Sequence, residues 1–367
     1  MKALFTVTSL LLISVFLSGC LGSSKSSTAP TLAFAYVVGQ GDNGIRGLAE
    51  KSTGELSPLG VSTFATSPRP VSIALHPSKN FLYVPNLTSN TVSGFTVDHV
   101  NGVLTPIGTA LPPTPVQTSP IAVGINSTGT FLYVLNQGSA SISVFSIDTT
   151  RGLLAAVGSP APTAANPASM VVSPTAGFLF VGNGTLGTIS GFAIAANGTL
   201  SGVGSPVSAG AGATVAGITI DPKGQFLFAA DSANNKIASF SISAAGVLTP
   251  VAGSPFNTGT TPMAIAVDST SAFLYSANQG SNNVSGFKIS GGALTEMAGS
   301  PYTLVTTGTP QPVFLTVDVS NTFLYVANVG TTNISAFAIK AADGTLSLLT
   351  TSPFPQSVEP LWIVTTQ

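Results

Sequence analysis

Phe131-Leu132-Tyr133-Val134-Leu135-Asn136 is the stretch that decides the fold, because it recurs along the whole chain. Close copies begin at Phe81, Phe178, Phe226, Phe273 and Phe323, and a worn copy, Phe34-Ala35-Tyr36-Val37-Val38-Gly39, opens the series. The seven phenylalanines are 47 to 50 residues apart. A fixed period in that range belongs to solenoids and propellers. Around each anchor lie three more short apolar segments. Ahead of it runs a segment such as Ile73-Ala74-Leu75, in which large and small residues alternate as on a half-buried strand. Behind it come Val92-Ser93-Gly94-Phe95 and its copies, then a glycine-led segment such as Gly102-Val103-Leu104-Thr105. Gly-Ser-Pro follows in four repeats, at residues 158–160, 204–206, 253–255 and 299–301. Proline removes a ladder donor, so it is expected to end the outermost strand.

Four strands in each of seven repeats predict an all-β, seven-bladed β-propeller with four antiparallel strands per blade. The first anchor has no first strand before it, whereas the last repeat is followed by an orphan, Glu359-Pro360-Leu361-Trp362-Ile363-Val364. That C-terminal strand is therefore expected to join the N-terminal blade and close the ring, leaving no open edge at the seam. Small residues such as Ala74, Gly124, Ala216 and Ala266 suit strands crowded around a channel. The Asn or Asp that ends the second strand (Asn86, Asn136, Asn183, Asp231, Asn278, Asn328) is expected to bond its own backbone at the turn.

Composition narrows the function classes. The chain has 367 residues, 6% of them charged, with a formal net charge of −1, so it lacks the basic stripe that nucleic acid requires. Lys2 precedes an apolar run from Ala3 to Leu17, the form of a secretory signal. The run ends Leu17-Ser18-Gly19-Cys20, which resembles the lipobox of bacterial lipoproteins. Residues 1–19 are read as a lipoprotein signal peptide and residues 20–31 as a lipid anchor and Gly/Ser/Thr-rich tether, with the propeller over 32–367. Cys20 would be the lipidation site, holding an exported protein to a membrane of the bacterial cell envelope. As the sole cysteine it forms no intrachain disulfide. A monomer is expected.

The phase of all four strands resembles the seven-bladed propeller lactonases, the 6-phosphogluconolactonase-like proteins with Tyr-Val-Thr-Asn repeats, over roughly residues 33 to 366. The resemblance implies the propeller, lactone hydrolysis, and Arg, His and Glu side chains around the channel mouth. The family proline, eleven residues before the anchor, stands at Pro70, Pro120, Pro167, Pro262 and Pro312, and again at Pro360 in the orphan strand. The family arginine column is then Val71, Ile121, Ala168, Val215, Met263, Val313 and Leu361. The histidine column is Ser72, Ala122, Ser169, Ala216, Ala264, Phe314 and Trp362. Neither keeps a basic residue. His-Pro survives once, as His76-Pro77, and the glutamate column after the anchor holds Leu87, Gln137, Gly184, Ser232, Gln279 and Val329.

One polar column remains, just before the proline: Arg69, Ser119, Asn166, Thr214, Thr261, Gln311 and Glu359. By symmetry these seven side chains ring one end of the channel, where propellers bind ligands. Arg69 and Glu359 fall on neighbouring strands and are the candidate catalytic pair, or an ion pair that helps close the ring. No metal site or cofactor is expected: His76 and His99 have no ligand-spaced partners. Asp98 and Asp148 are explained as turn caps. The sequence thus favours a lipid-anchored binding or scaffold module that takes a small polar ligand or a protein partner at the channel mouth. The alternatives are a lactone hydrolase with a diverged site and a purely structural envelope protein.

Overall fold

The anchor strands lie buried on both faces. In Phe81–Asn86 and Phe323–Asn328 every residue is buried, as it must be when a sheet is sandwiched between two others. In the computed structural model, which describes residues 33–41, 43–108, 114–175, 177–304 and 308–366, seven antiparallel sheets follow one another in chain order. The expected signal peptide, tether and Cys20 lie outside the described residues. Leu32–Gln367 forms one unit. Blade 1 takes residues 33–65 with the C-terminal strand Glu359–Thr365, and blades 2 to 7 follow over 74–115, 120–162, 169–208, 215–257, 262–303 and 312–355.

The alternation within the anchor sorts its side chains between neighbours. Leu82 and Val84 pack against Phe34 and Tyr36 of blade 1, whereas Phe81 and Tyr83 pack against Leu132 and Val134 of blade 3. Burying each of these side chains contributes about 2–3 kcal/mol. The tyrosine hydroxyl then donates across the interface to a backbone carbonyl of the next blade. Tyr36 reaches Gly102 O at 2.9 Å, Tyr83 reaches Gly152 O at 2.8 Å, and Tyr275 reaches Gly344 O at 2.7 Å. Blade 5 has Phe228 in place of the tyrosine, and there the Ser239 hydroxyl takes over, donating to Gly292 O at 2.7 Å. The accepting glycine is also forced. A Cβ on Gly102 would lie 2.5 Å from the Phe34 ring, and its φ of +72° is left-handed.

Closure is as the orphan strand predicts. Glu359–Thr365 pairs antiparallel with Ala33–Gln40, from Gln40↔Glu359 to Ala35↔Thr365, and blade 1 thereby gains its innermost strand.

Two local expectations are corrected. Gly-Ser-Pro does not end the outermost strand. In blade 5 the strand Leu248–Pro250 breaks and resumes as Phe256–Asn257, both pieces pairing with Lys236–Ile242. In blade 4 the strand Leu200–Ser208 runs on through the motif with a register shift. The motif is a break within an edge strand. In blades 5 and 6 its serine accepts the third-strand N–H at the gap: Ser239 N to Ser254 Oγ at 2.8 Å, and Gly286 N to Ser300 Oγ at 3.1 Å. The second correction concerns the Asn column. Asn86, Asn183, Asn278 and Asn328 are fully buried and donate mainly across to the third strand, to the hydroxyls of Ser93, Ser190, Ser285 and Ser335 at 2.8–3.0 Å. At two positions the expectation holds: Asp231 accepts from the turn N–H groups of Ala233 and Asn234 as well as from Thr214, and Asn136 donates to the carbonyls of Val134 and Ser141.

Candidate functional site

In five of the seven blades the innermost strand carries one irregularity at the same end, and it decides what faces the channel. In blade 7 Pro312 pairs with Asn328 and Phe314 with Ala327, so Val313 is an extra residue with no partner. In blades 1, 3 and 6 the extra residue is Leu361, Ile121 and Met263. Bulges of this kind re-aim a side chain, and they gather beside binding sites. In blade 5 Val215 pairs with Asp231 and Gly217 with Ala230, so the bulged residue is Ala216. Val215 therefore occupies the proline position, and the family columns read from the sequence are one residue out in this blade. Its true pair is Ala216 and Gly217.

With that correction, every residue of the former arginine column lines one cavity of about 340 Å³, together with six of the seven in the histidine column. The exception is Ser72, which is fully buried. The wall is aliphatic on most sides and aromatic on one, where Phe314 and Trp362 stack with ring centroids 3.9 Å apart and planes 25° apart. These two are the bulky exceptions to the small residues expected there. Among the described residues of the lining none is ionisable, and Ser169 carries the only side-chain hydroxyl. That hydroxyl is buried without a hydrogen-bond partner.

The polar column lies two residues ahead of the bulge. Arg69, Asn166, Gln311 and Glu359 are exposed, and Ser119, Thr214 and Thr261 are partly so. Backbone geometry explains the column's regularity. Arg69, Ser119, Asn166, Thr261 and Gln311 have φ between 51° and 61°, left-handed values that cost a non-glycine residue about 1–2 kcal/mol. In four of them a turn Asn from the preceding blade caps the N–H. Asn43, Asn90, Asn235 and Asn282 accept from Arg69, Ser119, Thr261 and Gln311 at 2.8–3.2 Å. Four positions of the column are thus inter-blade stitches, while Thr214 donates its N–H to Asp231 within its own blade. Arg69 and Glu359 do not form the ion pair expected of them. Among the described residues, ion pairs join Lys51 to Glu55 and Lys340 to Asp343.

His76 is a turn residue. Its Nδ1 lies 2.7 Å from Ser78 Oγ and its Nε2 2.8 Å from Gly129 O, both ring nitrogens being occupied. His99 meets Asn80 Oδ1 in an exposed turn. Asp98 and Asp148 accept from the backbone N–H of Val100 and Thr150, as turn caps do. Buried acids escaped sequence reasoning, Asp221, Asp268, Asp318 and Glu50 among them, and Glu50 is the one at the seam. Glu50, on the blade 1 side of the seam, accepts from the Tyr325 hydroxyl of blade 7 at 2.9 Å. Burial is the main cause pushing its carboxyl up to about 7, with the Asp318 charge adding to it and the tyrosine bond opposing. The apolar wall itself was visible as a column without basic residues, but its role as a cavity lining was not.

Solved structures of the same shape are numerous. A Bacteroides uniformis protein, provisionally identified as a 6-phosphogluconolactonase, superposes with a TM-score of 0.77 at 18% identity, covering 91% of this chain and 99% of its own. The Pseudomonas aeruginosa periplasmic gluconolactonase PpgL gives a TM-score of 0.75 at 17% identity, covering 92% and 99%. A Lactobacillus plantarum protein gives 0.76 at 20%, covering 92% and 99%. At these identities the likeness shows the fold. A comparison with curated proteins found no match. The sequence itself matches the family described as Lactonase, 7-bladed beta-propeller, over residues 26–216 and 205–303, and with seven four-stranded blades closed by the C-terminal strand the chain belongs to that family.

Proposed function

We propose that the protein opens lactones at the channel mouth. The observation that carries this reading is the placement of the cavity. It lies at the positions where the family resemblance puts the reacting groups, two residues beyond a rim that holds one carboxylate, Glu359, and one guanidinium, Arg69. In the proposed step the Glu359 carboxylate takes a proton from water as the oxygen attacks the lactone carbonyl. Arg69 stabilises the negative charge that develops on the lactone carbonyl oxygen. The ring C–O bond then breaks, and the departing alkoxide takes the proton back from Glu359. A general base contributes about 10²–10⁴-fold and an oxyanion donor about 10²–10³-fold. Family membership and the lactonase names of its structural neighbours support the reaction class.

The experiment is base uptake at constant pH on purified protein, with the spontaneous opening subtracted. Glu359→Gln and Arg69→Ala are each expected to lower kcat/KM at least a hundredfold. Lactone opening that survives both changes would remove the site from the rim.

A second reading, a module that binds without reacting, is favoured by the lining. The cavity contains no acid or base, so it can hold a ligand but cannot move a proton. In either case the Lys2-to-Cys20 segment supports export and lipid anchoring in a bacterial envelope, with Cys20 as the acylated residue.

A further inference from the structure

The rim and the cavity beneath it differ in chemistry, and the difference specifies a ligand. We propose that the channel is a binding site for the apolar part of a neutral molecule, an alkyl- or aryl-substituted ring, seated against Phe314 and Trp362. This goes beyond lactone opening and holds whether or not the bound ring reacts.

Three observations carry it. The lining has no charged side chain, so a phosphorylated or carboxylated ligand would lose its hydration there with nothing in exchange. A sugar would find backbone groups but no exposed side-chain donor or acceptor for its hydroxyls, the Ser169 hydroxyl being itself buried. The volume of about 340 Å³ equals that of about eleven waters at liquid density, enough for a small ring bearing a short chain. The stacked Phe314 and Trp362 give the lining one aromatic side, and Val71, Met263 and Val313 supply apolar surface elsewhere on it. Met263 and Val313 sit at bulges that re-aim a side chain, and with Val71 they line the cavity where the family resemblance implies basic residues, so the geometry of a ligand site is kept while its polarity is reversed.

Trp362 is the sole tryptophan in the chain, so its emission reports on this cavity alone. Full-length protein is titrated with γ-nonalactone, with 2-pentylcyclopentanone, which keeps the shape but has no ester to open, and with glucono-δ-lactone. The expected result is a saturable shift of Trp362 emission with both alkyl compounds and none with the sugar lactone. Ala168→Phe, which fills the cavity without adding charge, should weaken both alkyl responses at least tenfold. A melting curve within a few degrees of wild type shows that it still folds. Met263→Gln, which leaves the volume nearly unchanged, should weaken them less. Absence of a response to both alkyl compounds overturns the proposal, as does an equal response to glucono-δ-lactone or a response that Ala168→Phe leaves intact. Lactone opening is followed in parallel by base uptake. Binding of the ketone without opening of γ-nonalactone defeats the hydrolase reading and leaves this one standing. Opening of sugar lactones with no Trp362 response does the reverse.

Discussion

The Tyr325 hydroxyl lies 2.9 Å from Glu50 Oε1 and 3.1 Å from Gly54 O, joining the last blade to the first through a buried carboxyl. At the other interfaces where an anchor tyrosine bridges the blades, it meets a glycine carbonyl alone. The seam therefore carries a titratable group that those interfaces lack. Its pKa is raised to about 7 from 4.5, mainly by burial. A raised carboxyl means that the folded state binds the proton more tightly than the unfolded one. The resulting stability is complete below about pH 4.5 and is lost as pH rises towards about 7, on the order of 1–3 kcal/mol in all. Melting temperature should fall across that window, and Glu50→Gln should flatten the dependence. A wild-type profile with no such fall would show that Glu50 is not held protonated.

Gly102 must keep its hydrogen. Its left-handed φ and its contact with Phe34 each penalise a side chain, so Gly102→Ala should cost about 2–5 kcal/mol. Gly60 has open space around it and no left-handed backbone, so Gly60→Ala should be within about 0.5 kcal/mol of wild type. Chemical denaturation of the two variants measures the contrast. Equal stabilities would mean that the Phe–Gly contact does not hold the blades together.

The anchor period, the blade count and the closing strand were legible because each depends on local pattern and simple counting. A strand sandwiched between sheets must be apolar throughout, and a ring with one strand missing at the start needs one to spare at the end. What was hidden depends on register or on distance. Val215 stands where other blades have proline; with no proline to mark the place the columns slip by one, although the eleven-residue count back from Phe226 reaches Val215, and the pairing with Asp231 fixes it. Glu50 and Tyr325 are 275 residues apart and no motif links them. Phe314 and Trp362 read in the sequence as two positions that are not histidine, and nothing there shows that they stack on each other at one side of the cavity.

Cys20 gives a prediction independent of the propeller. If Cys20 is the acylated residue, as proposed, Cys20→Ser should release the protein from the membrane fraction or leave an uncleaved precursor. Mass spectrometry of wild-type protein should find a modified Cys20 at the N-terminus. A soluble wild type with Met1 intact would defeat the lipoprotein reading.

The seam supplies the last prediction. Removing residues 359–367 takes away the innermost strand of blade 1. Ala33–Gln40 would lose its ladder to Glu359–Thr365 and become an open edge facing the channel. The Phe34 N–H would also lose Thr366 Oγ1, to which it donates at 2.9 Å. Ile363, fully buried beside Ala35, Val37 and Tyr325, would leave a hole at the junction of blades 7 and 1. Loss of one such side chain costs about 2–5 kcal/mol even when the strand remains. The truncated protein should therefore aggregate or melt far below the full chain. Ile363→Ala separates packing from pairing: it keeps the ladder, so it should lower stability by that amount and stay soluble. A truncated chain as stable as the intact one would show that the ring is held by its six other junctions alone.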